Sequence, residues 1–259
     1  MYVNVSDVAA FIGQSKWDIV TPFERFWKNN DKEFNIILEE LKNDATCIEA
    51  VKDTGLTRKE IISKYIGPEV MNSVLDDTTL TSSEKKTKIK EACGTNASND
   101  CVESLVNTEH GIRNEEKVIK IIEETKKEKV DRSNKLYKKE ISQGIVLCGR
   151  IDGLCDGYIV EVKNRMNGFF SSLREYENTQ VQLYMWMLDG IEYTNLEEHY
   201  KGETKTTRVY KDEEYIEEII ERLQSFCDNF KKFTSDKNNK VKYFKKTSFS
   251  KTAFIKTLQ

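Results

Sequence analysis

The sequence predicts an α/β protein in which helices flank a mixed β-sheet. Three features of the 259-residue chain lead to this prediction. Helix-start signals recur through the first half, strand-like segments fill residues 135–163, and a long amphipathic helix follows near the C-terminus. Because helices precede and follow one small sheet, we expect a single domain over residues 1–259.

The first half of the chain carries capping signals that predict a series of helices. We expect Ser6 to cap a short helix that stops at Gly13. At Thr21–Glu24, a capping box with proline at the first helical position predicts a helix from about Pro22. Further helices are predicted over residues 34–52, after the capping boxes Thr57–Glu60 and Thr81–Glu84, and over roughly 109–128.

Two segments have a composition of their own. Residues 53–107 are polar and their helices break often, so we interpret them as a helical insertion or lid. Residues 236–259 form a basic tail, in which seven lysines and no carboxylate follow Asp236. This tail either grips phosphates and stacks on bases, or is solvated with a few packed aromatics. The aromatic residues concerned are Tyr243, Phe244, Phe249 and Phe254.

The second half alternates strands and helices. Strands are predicted at LYKKEIS, GIVLCGRIDGL, YIVEVKN, EEHYKGE and TKTTRVYK. A helix over about 173–189 stops at Gly190. The last strong element is DEEYIEEIIERLQSFCDNFKKF, whose apolar stripe is typical of a helix packed on a core.

Charge, cysteines and hydropathy exclude some classes of protein. The net charge of −3 does not favour nucleic acid as a partner. None of the six cysteines forms a Cys-x-x-Cys pair, which excludes a zinc ribbon, and we expect the thiols to be reduced. The chain lacks a run of about 18 apolar residues and a secretory start, so we expect an intracellular protein outside the membrane.

The segment GRIDGLCDGYIVEVKNR predicts a β-hairpin that turns at Asp156-Gly157. If those two residues form the turn, Cys155 pairs with Tyr158, and the same count places Asp152 opposite Glu161. Directly opposed residues have Cβ atoms about 4.5–5.5 Å apart on one face, where like charges destabilise the sheet. A local rule broken in this way indicates a candidate functional site.

A divalent cation would resolve the conflict between the two carboxylates. Asp152 and Glu161 can share Mg²⁺ or Mn²⁺, and the carbonyl of Val162 can supply a further oxygen ligand. Lys163 projects to the same side and can orient an attacking water or stabilise charge on a phosphate. The alternative is an ordinary edge hairpin with surface charges, for which Glu-Val-Lys is a common pattern.

Two helices carry further candidate residues. Glu115 lies within an apolar stripe that also contains Ile112 and Val118, and a carboxylate there needs a partner or a metal. On the helix TQVQLYMWMLDG, Gln180 shares a face with Tyr184, whereas Gln182 points elsewhere. An amide among apolar residues needs hydrogen-bond partners, such as a phosphate or Lys163. The alternatives are a glutamate that reaches water and a core helix with tolerated amides.

In chain order, Glu115, Asp152, Glu161-x-Lys163 and the Gln-x-Gln helix resemble the PD-(D/E)XK nuclease superfamily. Within it, TQVQLYMWML is similar to the glutamine-helix motif of the bacteriophage lambda exonuclease and YqaJ-type viral recombinase family. GIRNE matches that family's glycine with a glutamate four residues on, and VSDVAAFIGQSKWDIVTPFERFWKNN resembles its N-terminal segment. The resemblance covers about residues 4–30 and 109–190.

The resemblance implies a restriction-endonuclease-like mixed sheet and a Mg²⁺- or Mn²⁺-dependent deoxyribonuclease that acts on DNA in recombination, repair or viral genome processing. Asp152, Glu161 and Glu115 resemble metal ligands, and Lys163 resembles the lysine that positions the attacking water. Gln180 or Gln182 resembles the site-side glutamine, and helix phase favours Gln180. A recombination or single-strand-annealing partner, a homo-oligomer and a cytoplasmic or viral replication compartment are also implied.

The N-terminal part of this chain departs from the family. Ser6 resembles a residue near the DNA end, but the segment ahead of it, which in relatives supplies an arginine for the terminal phosphate, is missing. We expect Arg25, Arg150 or Arg165 to compensate. Ile151 stands where the superfamily commonly has proline. Cysteines that hold an iron–sulfur cluster in some relatives have no counterparts here, so we expect no cluster.

Three functions therefore compete. The leading hypothesis is an exonuclease that hydrolyses phosphodiester bonds from DNA ends. The second is a structure-selective or sequence-selective endonuclease, because the missing arginine segment leaves recognition of the end open. The third is a catalytically inactive nucleic-acid-binding protein, although such a protein need not keep all four acidic and lysine positions.

Overall fold

The strands form two separate mixed sheets in the computed structural model, which describes residues 1–15 and 18–259. The first sheet has the order β1–β3–β2 and consists of Tyr2–Asn4 (β1), Tyr137–Ser142 (β2) and Ile145–Gly149 (β3). The second has the order β4–β5–β6–β7 and consists of Gly153–Cys155 (β4), Tyr158–Asn164 (β5), Tyr193–Tyr200 (β6) and Glu203–Tyr210 (β7). Each sheet combines one parallel pair with antiparallel neighbours. Lys16 and Trp17, which belong to the N-terminal stretch of the resemblance, lie outside the described residues.

The α/β class predicted from the sequence is confirmed, but one sheet was expected and two form. The predicted strand GIVLCGRIDGL is interrupted at residues 150–152, where the chain passes from the first sheet to the second. Gly149 lies against the ring of Tyr184, and an added Cβ would stand 2.5 Å from that ring. Glycine at this position lets the sheet and the helix that carries Tyr184 approach closely.

Helices surround both sheets. In the described residues they are Val5–Phe11 (α1), Val20–Asn30 (α2), Glu33–Lys42 (α3), Ile48–Val51 (α4), Arg58–Ile66 (α5), Pro68–Asp76 (α6), Ser82–Cys93 (α7), Asn99–Lys126 (α8), Glu175–Met187 (α9), Glu213–Thr234 (α10), Lys237–Phe244 (α11) and Ser248–Lys256 (α12). Among the described residues, no helix has the length and apolar content needed to cross a bilayer. All six cysteine thiols are free.

Two of the three predicted capping boxes are confirmed. Thr57 and Thr81 each accept from the amide of a glutamate three residues on, and that glutamate accepts from the cap amide in return. The box predicted at Thr21–Glu24 is wrong, because α2 begins earlier and Asp18 Oδ1 accepts from the amides of Val20 and Thr21. Asp18 stands just before the first helical turn and satisfies its free N–H groups instead.

The prediction that Ser6 caps the first helix is also wrong. Asn4 occupies the cap position, and Ser6 lies inside α1 with its side chain exposed. Gly13 follows the helix with a positive φ of 78°, which agrees with the predicted stop.

The core divides into three hydrophobic clusters. The largest joins α1, α2, α9 and α10 to both sheets and contains many stacked and edge-to-face aromatic pairs, such as Phe11 with Phe226. A second cluster belongs to α5, α6, α7 and the first half of α8. The third lies between the second half of α8 and β5. The helices of the predicted insertion are therefore held by their own small core.

Residues 236–259 form α11 and α12, which pack on the protein. Tyr243 and Phe244 are completely buried and so are not available to stack on bases. Two lysines of this segment are buried as well: Lys240 pairs with Asp31 and Glu33, and Lys251 pairs with Glu24. The packed-aromatic interpretation of this tail therefore fits the structure, except at Phe249, which is exposed.

Candidate active site

The hairpin between β4 and β5 has the register predicted from the sequence. Cys155 pairs with Tyr158, Leu154 with Ile159 and Gly153 with Val160. Gly157 takes a φ of 81° in the turn, which glycine adopts without strain.

The pairing of the two strands stops at Gly153, one residue before the predicted pair of Asp152 and Glu161, and the side chain of Asp152 bonds to the backbone of β5 there. Asp152 Oδ2 accepts from the backbone N–H of Val162 at 2.8 Å. The two faces of β5 differ: Val160 and Val162 pack against α8, whereas Glu161 lies on the opposite face, which α9 covers.

Glu161, Lys163 and Gln180 form a closed triangle of hydrogen bonds. Glu161 Oε1 accepts from Lys163 Nζ at 2.7 Å and from Gln180 Nε2 at 3.0 Å. Gln180 Oε1 accepts from Lys163 Nζ at 3.1 Å, and its Nε2 lies 3.4 Å from the hydroxyl of Tyr184. Glu161 is only 2% exposed, and its second oxygen, Oε2, is buried without a hydrogen-bond partner among residues 1–15 and 18–259.

The electrostatics of the two carboxylates reflect this incomplete pairing. Burial raises the pKa of Glu161, and the nearby charge of Asp152 raises it further. The pKa of Asp152 is raised by burial as well, despite the opposing effect of Lys163. Burial would lower the pKa of Lys163, but Glu161 and Asp152 outweigh it and the net shift is upward. The surroundings therefore favour the charged form of Lys163, whereas burial disfavours the charged forms of Asp152 and Glu161.

Glu115 does not join this pair. It is partly buried on α8 and forms an ion pair with Arg132 at 3.3 Å, although its charge contributes to the raised pKa of Asp152. The apolar stripe predicted around it is interrupted, because Ile112 is 61% exposed. Within residues 1–15 and 18–259, no group of three or more His, Cys, Asp or Glu side chains is arranged to hold a metal ion.

The two glutamines of α9 have different roles. Gln180 faces the site, as helix phase predicts. Gln182 is buried on another side, where its amide donates to the carbonyl of Tyr210 at 2.8 Å and accepts from the N–H of Asp212 at 2.9 Å. The candidate role of Gln182 at the site is thus wrong, and this side chain instead ties α9 to the end of β7.

Three of the four predicted substrate-binding residues meet in one cleft. Ser6, Arg25 and Arg150 line a cavity of about 330 Å³, and Tyr184 forms part of its wall. Arg25 also forms an ion pair with the buried carboxylate of Asp7. Since Tyr184 lies beside Gln180 as well, the cleft adjoins the carboxylate pair.

Arg165 does not line that cleft and is held elsewhere by two carboxylates. Its guanidinium binds Glu177 through two N–H groups, at 2.7 and 3.0 Å, and Glu198 through Nε at 2.7 Å. Both carboxylates are buried, and the guanidinium also lies over the ring of Phe170. These contacts use three of the five N–H donors of Arg165.

Sequence reasoning missed several residues that shape the site. Glu177 stands three residues before Gln180, one helical turn away, and the same face count that selected Gln180 would have found it. Helix phase places Tyr184 on that face but indicates no role for it. Asp7 and Glu198 gave no local signal, because their partners are distant in sequence.

Comparisons with known proteins leave the family open. No family model matches the chain, and no curated protein matches it. The crystal structure of SSO0001 superposes with a TM-score of 0.38 and 13% identity, over 60% of this chain and 83% of that one. At this TM-score, the similarity identifies neither a shared fold nor a function.

Proposed function

We propose that this chain is a divalent-metal-dependent deoxyribonuclease that hydrolyses phosphodiester bonds from DNA ends. The observation that carries the proposal is the buried Oε2 of Glu161, which has no hydrogen-bond partner in the described part of the chain and lies close to Asp152 and Lys163. A buried carboxylate oxygen without a donor is costly, and a bound cation removes that cost.

The residues present fit such a cation. Asp152 and Glu161 offer the hard oxygen donors that Mg²⁺ and Mn²⁺ prefer, and the carbonyl of Val162 is a further candidate. Two protein carboxylates are sufficient, because Mg²⁺ usually keeps several waters and binds substrate phosphate oxygens as well. When bound, the cation would act as a Lewis acid on a phosphoryl oxygen.

Lys163 and Gln180 supply the rest of the chemistry. A lysine ammonium has three N–H donors, and two of them already bind Glu161 and Gln180. The third is available to hold the attacking water or a phosphoryl oxygen. Gln180 fixes the direction of that donor, because its amide binds both partners of the ion pair. Attack of the water forms a new P–O bond as the P–O3′ bond breaks, and a proton of the water is transferred to the leaving O3′, so that the products are a 5′-phosphate and a 3′-hydroxyl end.

The neighbouring cleft fits the DNA strand in this proposal. Arg25 and Arg150 place two cations in one cavity with the hydroxyl-bearing Ser6, beside the carboxylate pair. Cationic and hydroxyl groups of this kind contact phosphates. A restriction-endonuclease-like core, as the sequence motifs imply, belongs to the same proposal.

The proposal is tested by digestion of end-labelled linear DNA and closed circular DNA, each with Mg²⁺ and with EDTA. We expect Mg²⁺-dependent degradation of the linear substrate only. Asp152→Ala and Lys163→Ala should each lower the rate by about 10²–10³-fold or more, because each removes a group that stabilises developing charge.

Matched controls use the same substitutions at exposed positions. Asp189→Ala and Lys120→Ala lie away from the site and should keep the wild-type rate. Undiminished cleavage by Asp152→Ala or Lys163→Ala counts against the proposal. Cleavage of the circle would favour the endonuclease, and DNA binding without cleavage in Mg²⁺ or Mn²⁺ the inactive binding protein.

A further inference from the structure

A second cavity lies in the helical part of the chain, away from the cleft of Arg25. It has a volume of about 230 Å³ and lies between the end of α6, the start of α7 and the middle of α8. Its charged lining consists of Lys85, Arg113 and Lys117, together with the carboxylates of Asp76 and Glu109. His110 and Asn114 add neutral polar groups.

Two of these cations converge on a single carbonyl oxygen. Lys85 Nζ donates to the carbonyl of Leu75 at 2.7 Å, and Arg113 donates to the same oxygen. Two positive groups that share one neutral acceptor repel each other, and a nearby anion would relieve that repulsion.

The carboxylates of the cavity compensate these cations only in part. Arg113 pairs with Asp76 at 2.6 Å and lies 3.6 Å from Glu109, and Glu109 is shared with Lys59. In the part of the chain that the structure describes, neither Lys85 nor Lys117 has a carboxylate within the ion-pair distance of 4.0 Å. In the lining of the cavity, three cationic side chains are therefore accompanied by two carboxylates.

His110 lies in the field of both lysines. Burial lowers the pKa of its imidazole, and the charges of Lys85 and Lys117 lower it further. The ring is close to Asn114, whose Nδ2 is 3.2 Å from Nδ1. A neutral imidazole keeps one N–H donor, so the cavity presents donors of three kinds to an oxyanion.

A hydrogen bond links the helix that lines the cavity to the strand that carries Glu161 and Lys163. Asn164 directly follows Lys163 on β5, and its Nδ2 donates to the carbonyl of Gly111 on α8 at 3.0 Å. Gly111 stands next to His110 in the chain. The part of α8 that lines the cavity is therefore joined by a hydrogen bond to the end of β5.

We propose that this cavity binds a phosphate of the nucleic-acid backbone and anchors the strand while a neighbouring bond is cleaved. The inference rests on the proposed nuclease function. Lysine, arginine and imidazole donors suit a phosphodiester oxyanion, and backbone phosphates are the groups that such side chains contact in nucleic acids. Residues of the helical insertion thus become part of the substrate-binding surface.

The test follows the ring signals of His110 by NMR, in protein with isotope-labelled histidine and in EDTA, so that the strand is not hydrolysed. The chain has two histidines, and a His199→Asn variant assigns the signals. We expect a short oligothymidylate to shift the His110 signals to saturation, and inorganic phosphate to shift them at higher concentration. Because Lys117 is exposed, Lys117→Ala should keep the fold and lower the slope of log Kd against log salt by about 0.7.

The matched control is Lys120→Ala, which removes a lysine of the same helix outside the cavity and should leave the slope unchanged. His110 signals that no oligothymidylate moves, or equal effects of Lys117→Ala and Lys120→Ala, would overturn the inference. A response to inorganic phosphate alone would also overturn it. If His110 responds but Mg²⁺ supports no cleavage, the phosphate site stands and the nuclease proposal falls.

Discussion

Two groups of buried carboxylates lie side by side on β5 and its neighbours, and their charges are balanced differently. In the first group, Glu177 and Glu198 surround Arg165, and each carboxylate receives several donors. In the second group, Lys163 bonds to Glu161 and Asp152 accepts from a backbone N–H, while the described residues provide no donor to one oxygen of Glu161.

The pKa directions follow from this difference. Burial acts to raise the pKa of Glu198, but the N–H of Phe170 and the guanidinium of Arg165 lower it more, so the net shift is downward. For Asp152 and Glu161, burial wins and the net shift is upward. The ion pairs of Arg165 stabilise the charged carboxylates around it, whereas Asp152 and Glu161 are the pair to which we assign a cation in the proposed function.

The largest effect on stability is expected when Arg165, the cation between Glu177 and Glu198, is removed. Arg165→Met should leave Glu177 and Glu198 buried without their shared cation, at a cost of about 3–5 kcal/mol in the free energy of unfolding. Denaturation with urea, followed by circular dichroism, measures this change. Lys42→Met serves as the control, because it removes an exposed partner of Glu39 and should change the stability by less than about 1 kcal/mol. Equal effects of the two substitutions would contradict the structural role of Arg165.

A smaller effect on stability is expected at the two glutamines of α9, and it should differ between them. Gln182→Ala should lower the free energy of unfolding by about 1–3 kcal/mol, because it removes two hydrogen bonds, to the carbonyl of Tyr210 and from the N–H of Asp212, each worth about 0.5–1.5 kcal/mol. Gln180→Ala should change the stability less and instead lower the rate of DNA cleavage. Urea denaturation and a cleavage assay on both variants test this difference. If Gln182→Ala lowered the cleavage rate and Gln180→Ala lowered the stability, the assignment of Gln180 to the site would be contradicted.

The smallest effect has the opposite sign. In metal-free buffer at pH 8, Asp152→Asn should raise the free energy of unfolding, on the order of 1 kcal/mol, since one pKa unit corresponds to about 1.4 kcal/mol. A carboxyl with a raised folded-state pKa binds its proton more tightly in the folded protein. The stability of the wild type therefore falls as pH rises from the ordinary carboxyl range through the raised pKa, and the variant should show a smaller fall.

Thermal unfolding across this pH range measures that difference, with Asp189→Asn as an exposed control that should follow the wild type. Mg²⁺ should stabilise the wild type by about 1.4 kcal/mol at ten times its Kd, and stabilise Asp152→Asn less. If Asp152→Asn were less stable than the wild type at pH 8, or were stabilised equally by Mg²⁺, the inference that the site disfavours the charge of Asp152 would be contradicted.

Patterns over a few residues predicted the local features well. The Asp156-Gly157 turn and the count of residue pairs outward from it led to the correct register, and a one-residue slip would have reversed every side chain of β5. Helix phase alone separated Gln180 from Gln182. The capping boxes at Thr57 and Thr81 depend on a spacing of three residues, and both form.

Long-range packing decided which charges meet, and no local pattern contains that information. Arg25 and Arg150 line the cleft while Arg165 is held by Glu198, which lies 33 residues away on another strand. Long charged side chains pair with whatever the packed elements bring within reach, so their roles depend on the complete fold. Turns, caps and strand register depend on hydrogen bonds and side-chain parity within a few residues, and for that reason they could be read from the chain alone.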